Sequence, residues 1–283
     1  MRARLEVRVR AGRRLCLALL SGLVLSSGLA QDVPTPPPAP PAGQPQGDPQ
    51  PGEAGKPPEA GKPPEAPKPP EGAQAADEAL LTRGVSAFPL EPGRRWHYQL
   101  EQSIEPTAGG EGTAERTVHT LDAYVIDPQQ LGELRVAVLE WKLDQELALR
   151  EFFQVTKEGV TCVKRRQGYG ERMKESAFAP AQLVVRTGLA VGQEWRWEGK
   201  HNGVAGRQTF KVLAEEALET PAGTFQTLVL EVKYEGDDES RGATRRWLAA
   251  GVGIVKDESE VRTPAAVFRT EAVLTRFEGP KKQ

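Results

Sequence analysis

From Phe88 onward the chain alternates apolar and polar residues with a period of two, the pattern of strands buried on one face. In Arg95–Ile104, Trp96, Tyr98, Leu100 and Ile104 share one face, and Arg95, His97, Gln99, Glu101 and Ser103 the other. Thr117–Ile126 reads the same way, with Val118, Tyr124 and Ile126 together. In Leu134–Leu143 the apolar face switches midway, which predicts a bulge or a strand covered on both sides. Phe152–Lys157 and Val160–Arg165 flank Glu158-Gly159, a tight hairpin signal. Glu194–Glu198, Arg207–Leu213, Thr227–Glu235, Arg245–Leu248, Ile254–Val261 and Ala266–Phe277 continue the series. About ten strands with few helical windows predict a mainly β domain, a curled antiparallel sheet or half-barrel with at most one or two short helices.

A short pattern occurs twice. Leu90-x-x-Gly93-x-x-Trp96-x-Tyr98 returns 99 residues later as Leu189-x-x-Gly192-x-x-Trp195-x-Trp197. Each copy docks an apolar residue, turns on glycine and lands two aromatics on one strand face. The offset is about half the β region and hints at an internal duplication.

The first 84 residues follow other rules. Met1–Arg14 holds six Arg against one Glu, and Leu15–Ala30 is an uncharged, Leu-rich run ending in small residues. These are the parts of a secretory signal peptide over residues 1–30, cut before Gln31. At about 16 residues the run is short for a membrane span, so no stable span is expected after cleavage, although retention as an anchor is the competing reading. Residues 31–76 form a Pro-rich linker: 16 of the 24 prolines lie between Pro34 and Pro70, and a Glu-Ala-Gly-Lys-Pro-Pro unit repeats. Such a stretch cannot build a core and is expected to be disordered with polyproline II character. Its 40-odd residues reach roughly 130 Å when extended. Ala76–Arg83 reads as a marginal amphipathic helix, and residues 84–279 as the β domain, which holds all 17 aromatics.

Charge and cysteine content narrow the function. The chain carries a net charge of −2, and loss of a +5 leader leaves −7, which argues against nucleic-acid binding. Cys162 is then the one remaining cysteine, so an exported domain must rest on its core rather than on a disulfide. An inert buried thiol is its expected state.

Four segments occur in a fixed order: Phe88-Pro-Leu-x-x-Gly-x-x-Trp-x-Tyr, Leu189-x-x-Gly-x-x-Trp, Thr220-Pro-Ala-Gly-Thr-Phe-Gln-Thr and Arg246-Trp-Leu-Ala-Ala-Gly-Val-Gly-Ile-Val-Lys. Together they resemble the TapB-like group of exported bacterial β-domains, over about residues 86–278. Leu248 and Ala250 stand where that group has Tyr and Pro, which bears on the turn there. The resemblance implies a fold related to the half-barrel of periplasmic lipoprotein carriers, and no catalytic residues to transfer.

The chemistry is sparse. His97, His119 and His201 show no metal spacing, and no Gly-x-Ser-x-Gly elbow exists. No catalytic residue, metal site or cofactor is expected. Asp237-Asp238-Glu239 reads as a solvated hairpin tip, and the Arg165-Arg166 and Arg245-Arg246 pairs as protection of strand ends. The unusual asset is aromatic: Trp96, Tyr98, Trp141, Trp195, Trp197 and Trp247 are the candidate lining of a concave apolar surface. The expected protein is a noncatalytic domain, periplasmic or extracellular, that binds a protein partner or an apolar ligand of the cell envelope. The alternatives are a lipid or lipoprotein carrier and an envelope hydrolase.

Overall fold

The structure, a computed structural model, describes residues 85–107, 113–201 and 203–280. The signal peptide, the linker and the Ala76–Arg83 helix lie outside the described residues.

Twelve strands follow one another: β1 (Arg95–Pro106), β2 (Glu115–Leu131), β3 (Leu134–Leu143), β4 (Glu146–Thr156), β5 (Gly159–Gln167), β6 (Lys174–Arg186), β7 (Glu194–His201), β8 (Val204–Thr220), β9 (Gly223–Gly236), β10 (Arg241–Ala249), β11 (Gly253–Arg262) and β12 (Ala266–Glu278). A 3-10 turn at Gly170–Arg172 interrupts them. Every strand runs antiparallel to its neighbours in sequence, and β12 pairs with β1 to close a barrel. The expected half-barrel is therefore corrected to a closed barrel, and about ten strands to twelve. Closure follows from β1 and β12 pairing along their whole length, from Arg95↔Glu278 to Pro106↔Ala266, which removes both exposed edges.

The strand that the alternation did not reveal is β6. Its sequence, KESAFAPAQLVVR, is rich in alanine and holds Pro180, which cannot donate to a ladder. Register also corrects the face assigned to β2. Trp96 and Tyr98 lie opposite Ala123 and Leu121, so the odd residues Leu121, Ala123 and Val125 point inward and Val118 stays exposed. β2 has apolar residues at both parities, and only pairing with β1 selects one. β3 is covered on both faces, as one of the two sequence alternatives had it: Ala137, Leu139 and Trp141 join the main core, while Val136 and Val138 pack with Phe152 in a separate cluster.

Inside, the barrel is filled with aliphatic and aromatic side chains. Outside, charged side chains pair across strands, as in Lys256 with Glu271, and Arg269 with Glu105 and Glu260. That is the reverse of a membrane-spanning barrel, whose outer band is apolar and whose interior is polar. Among the described residues no helix is long and apolar enough to cross a membrane.

The two halves, β1–β6 and β7–β12, are built alike. Gly93 and Gly192 both sit at φ 88°, a conformation costly for residues with a Cβ. The Gly93 amide donates to the Val125 carbonyl at 2.9 Å, and Gly192 to Val212 at 2.9 Å. Val125 and Val212 return a bond to the residue after each glycine. Just beyond each valine, β2 and β8 carry a bulge. The first half has one addition: Val85–Leu90 crosses the barrel mouth, with Ser86 accepting from the Gly251 amide and the Phe88 ring 5.5 Å from Phe153.

Candidate functional site

The six candidate aromatics are not gathered on one surface. All are between 5% and 8% exposed, and they occupy three places. Trp96, Tyr98 and Trp141 sit inside, beneath Val85–Leu90. The Trp96 indole donates to the Val252 carbonyl at 2.6 Å, the Tyr98 hydroxyl to the Ile254 carbonyl at 2.9 Å, and the Trp141 indole to Glu151 Oε2 at 2.9 Å. Together with Phe88, Pro89, Leu90 and Ile254 they line a crevice with about 20 Å³ of space for a water-sized molecule. That is room for about one water and far less than an acyl chain needs. Trp195 and Trp197 lie where β6 meets β7, stacked on Phe210 at 5.1 Å and set edge-on to Phe178 at 5.8 Å. Trp247 turns to the outer wall, where its indole donates to Glu216 Oε1 at 2.5 Å and the Lys256 ammonium lies 5.2 Å from the ring.

Two ion pairs are buried within the barrel. Arg165 of β5 holds Glu151 of β4 at 2.9 Å, and Arg246 of β10 holds Asp257 of β11 at 2.8 Å. The reading of both Arg-Arg pairs as edge protection is corrected at Arg165 and Arg246, which point inward, whereas Arg245 faces solvent. The available signal was parity: Arg246 falls in step with buried Thr244. Such pairs must be matched, because a buried charge without its partner is expensive. Burial pushes the Asp257 carboxyl up to about 6, against the pull of Arg246 and a bond from Ser259. Burial near Asp257 likewise raises the Tyr98 hydroxyl.

Reactive groups are dispersed. Burial pushes the Cys162 thiol up to about 12, so it stays protonated and a poor nucleophile at neutral pH. His97 Nδ1 lies 2.6 Å from Asp122, and His119 Nδ1 lies 2.9 Å from Asp144, whose neighbour Gln145 also donates to Asp122. Ser176 Oγ and His201 Nε2 approach to 2.8 Å, the nearest thing to a nucleophile and base. Burial and the nearby Arg165 lower the His201 imidazole to about 3, which makes it a weak base. No carboxylate pairs with His201 among the described residues. Nor, among them, does any group of three His, Cys, Asp or Glu side chains offer to hold a metal.

The least regular part of the wall is the seam between β6 and β7. The two strands pair only at Phe178↔His201 and Ala179↔Lys200. Above that point the carbonyls of Pro180 and Leu183 accept the indole N–H groups of Trp197 and Trp195, each at 2.9 Å. Inside, Gln182 donates to Gln208 of β8 at 2.8 Å, bridging past β7. Side chains thus do here what a ladder does elsewhere.

A family model described as DUF3108-like matches residues 203–263, from β8 to the end of β11. It spans the Thr220–Thr227 and Arg246–Lys256 motifs and carries that name, not the TapB-like one. Two solved structures resemble the chain. One is a Bacteroides fragilis protein described as exported, with a YmcC-like fold: 14% identity over 68% of this chain and 98% of that one, with a TM-score of 0.36. The other is a Parabacteroides distasonis protein described as a lipoprotein: 13% identity over 69% and 99%, with a TM-score of 0.34. Comparison with curated proteins finds no match.

Proposed function

We propose that this protein is an exported, noncatalytic domain of the cell envelope that binds a protein partner through its outer wall. The observation that supports this most is the filled interior. Trp96, Tyr98 and Trp141, which an open half-barrel would offer to a ligand, are spent on main-chain carbonyls, on Glu151 and on the Val85–Leu90 segment. What remains accessible is a charged wall and its rims. The leader and Pro-rich tether read from the sequence would deliver the barrel across a membrane and hold it at a distance. No cofactor is part of this reading.

The test is photocrosslinking in cells that express the full chain, with probes spread over the wall and rims. A discrete adduct that disappears when the leader is deleted is the expected result. An absence of adducts from every position, with the protein present in the exported fraction, would sink the partner reading. The carrier alternative expects acyl chains in organic extracts of the purified protein. Finding them would replace a wall-binding role with an interior one, because the 20 Å³ crevice would have to open.

A further inference from the structure

Val85–Leu90 precedes β1 as Val184–Leu189 precedes β7, 99 residues on. The later segment starts inside β6, which pairs with β5 down to the first residue of that strand, Gly159↔Arg186. The earlier one, the strap across the barrel mouth, belongs to none of the twelve strands. β12 stands beside β11 as β6 stands beside β5, but it pairs with β11 only from Lys256↔Val273 onward. The start of β11 is left to the strap. The Gly251 amide donates to the Ser86 carbonyl at 2.8 Å, and a Cβ on Gly253 would meet Pro89 at 3.3 Å. What β6 does in one piece is thus done here by two: β12 from one end of the chain and the strap from the other.

The strap offers the barrel a carbonyl, a ring and a carboxylate. The carbonyl is that of Ser86. The ring is Phe88, edge-on to Phe153 at 5.5 Å. The carboxylate is Glu91, which binds Arg94, and that guanidinium also donates to the Gly251 carbonyl at 2.7 Å. The seat is not filled. The crevice of about 20 Å³ lies between Phe88, Pro89 and Leu90 of the strap and Trp96, Tyr98 and Trp141 of the barrel. A segment with a bulkier apolar side chain there gains contacts that the strap does not make.

We propose that the strap is a resident competitor for an extended segment of a partner protein. The partner's segment takes the seat by bringing a carbonyl to the Gly251 N–H, an aromatic ring to Phe153 and a carboxylate to Arg94. The strap swings out on the Pro92-Gly93 turn, which stays fixed by the bond from the Gly93 amide to Val125. The strap of a second copy would leave the same crevice, so the fit favours another protein. This narrows the partner-binding reading to the mouth and rests on it.

The probe is a dye-labelled, acetylated peptide with the strap's own sequence, Val-Ser-Ala-Phe-Pro-Leu-Glu, added to the full chain. In the wild type the strap holds its seat, because a linked segment competes at an effective concentration on the order of millimolar. F88A weakens the resident and should raise the peptide's affinity about tenfold or more. V85S loosens the other end of the strap and serves where F88A does not fold. In the F88A background, R94Q or a peptide with Lys in place of Glu weakens binding about threefold. Bound peptide also slows hydrogen exchange at the Gly251 amide. No binding to the loosened variants, equal affinity for variants and wild type, or equal binding of the Glu and Lys peptides overturns the proposal. In cells, a photocrosslinker at Ala250, exposed beside Gly251, separates the two levels. An adduct with another protein that F88A strengthens supports the mouth. An adduct of twice the chain's mass makes a second copy the occupant and overturns the choice of partner. Adducts from Val118 with none from Ala250 overturn the mouth but leave the partner reading standing. None from any position removes both.

Discussion

The first and second halves of the barrel solve the same packing problem with opposite charges. In β4 and β5, Glu151 faces Arg165; in β10 and β11, the corresponding strands, Arg246 faces Asp257. A bulge follows each at the next step, after Phe152 and after Trp247. Both bulges turn an aromatic to the outer wall, and both aromatics are covered by a cross-strand lysine, Lys164 at 5.0 Å and Lys256 at 5.2 Å. Each lysine then reaches a glutamate on the next strand, Glu175 on β6 and Glu271 on β12. Outside, Glu140 pairs with Arg150 as Glu231 approaches Arg245. The scaffold thus specifies a matched ion pair at one inner position and is indifferent to which strand carries which sign. At the halves' two junctions the likeness breaks, and there the seam appears.

The largest expected effect comes from breaking one ion pair. R165M or R246M leaves a buried carboxyl group without its cation and should cost about 3–5 kcal/mol in urea unfolding. Exchanging the signs, with E151R and R165E combined, should recover most of that loss, because the first half would then copy the second. A double variant no more stable than the singles would show that the halves are alike only in outline.

The next effect depends on pH and comes from two groups of the second half, Asp257 of β11 and His201 of β7. Asp257 titrates near 6 in the folded state and near 3.8 when free. Its contribution is therefore greatest below 3.8 and is lost as pH rises toward 6, by about 1–3 kcal/mol. His201 runs the other way. Its folded value of about 3 lies below the free value of 6.5, so its contribution is present above 6.5 and fades as pH falls toward 3. Stability measured against pH should gain slope between 4 and 6 in D257N, as the opposing term is removed. It should flatten below 6.5 in H201F, which keeps the stack on Phe178. Curves that superimpose on wild type would contradict both assignments.

The smallest effect sharpens the repeat. G93A and G192A force the same positive φ on a residue with a Cβ, at a cost of about 1–2 kcal/mol each. Equal losses in thermal unfolding fit one turn used twice. A loss at one site alone would mean that the two turns bear different loads.

The strands where one parity was apolar and the other charged, such as β1 and β9, were legible from alternation alone. So was the doubled Leu-x-x-Gly-x-x-Trp motif, because a positive φ before a strand leaves glycine as its mark. β6 was hidden, since alanines and a proline give no alternation, and the seam was hidden with it. The inward arginines were misread because Arg165-Arg166 and Arg245-Arg246 look alike as pairs, although one member of each faces the core. The six aromatics were recognised as unusual, but not their division among the mouth, the seam and the outer wall.

Taken by itself, the sequence determined the local facts: the strand period, the turns, the Pro-rich stretch that cannot build a core, and the alternation of faces. Those depend on neighbours a few residues apart. Closure of β12 on β1, the choice of inward parity in β2, the matching of Glu151 to Arg165 and the gap between β6 and β7 were decided only in three dimensions. Each is a matter of register between strands distant along the chain, and register is set by which pairings satisfy the most main-chain and buried charged groups at once.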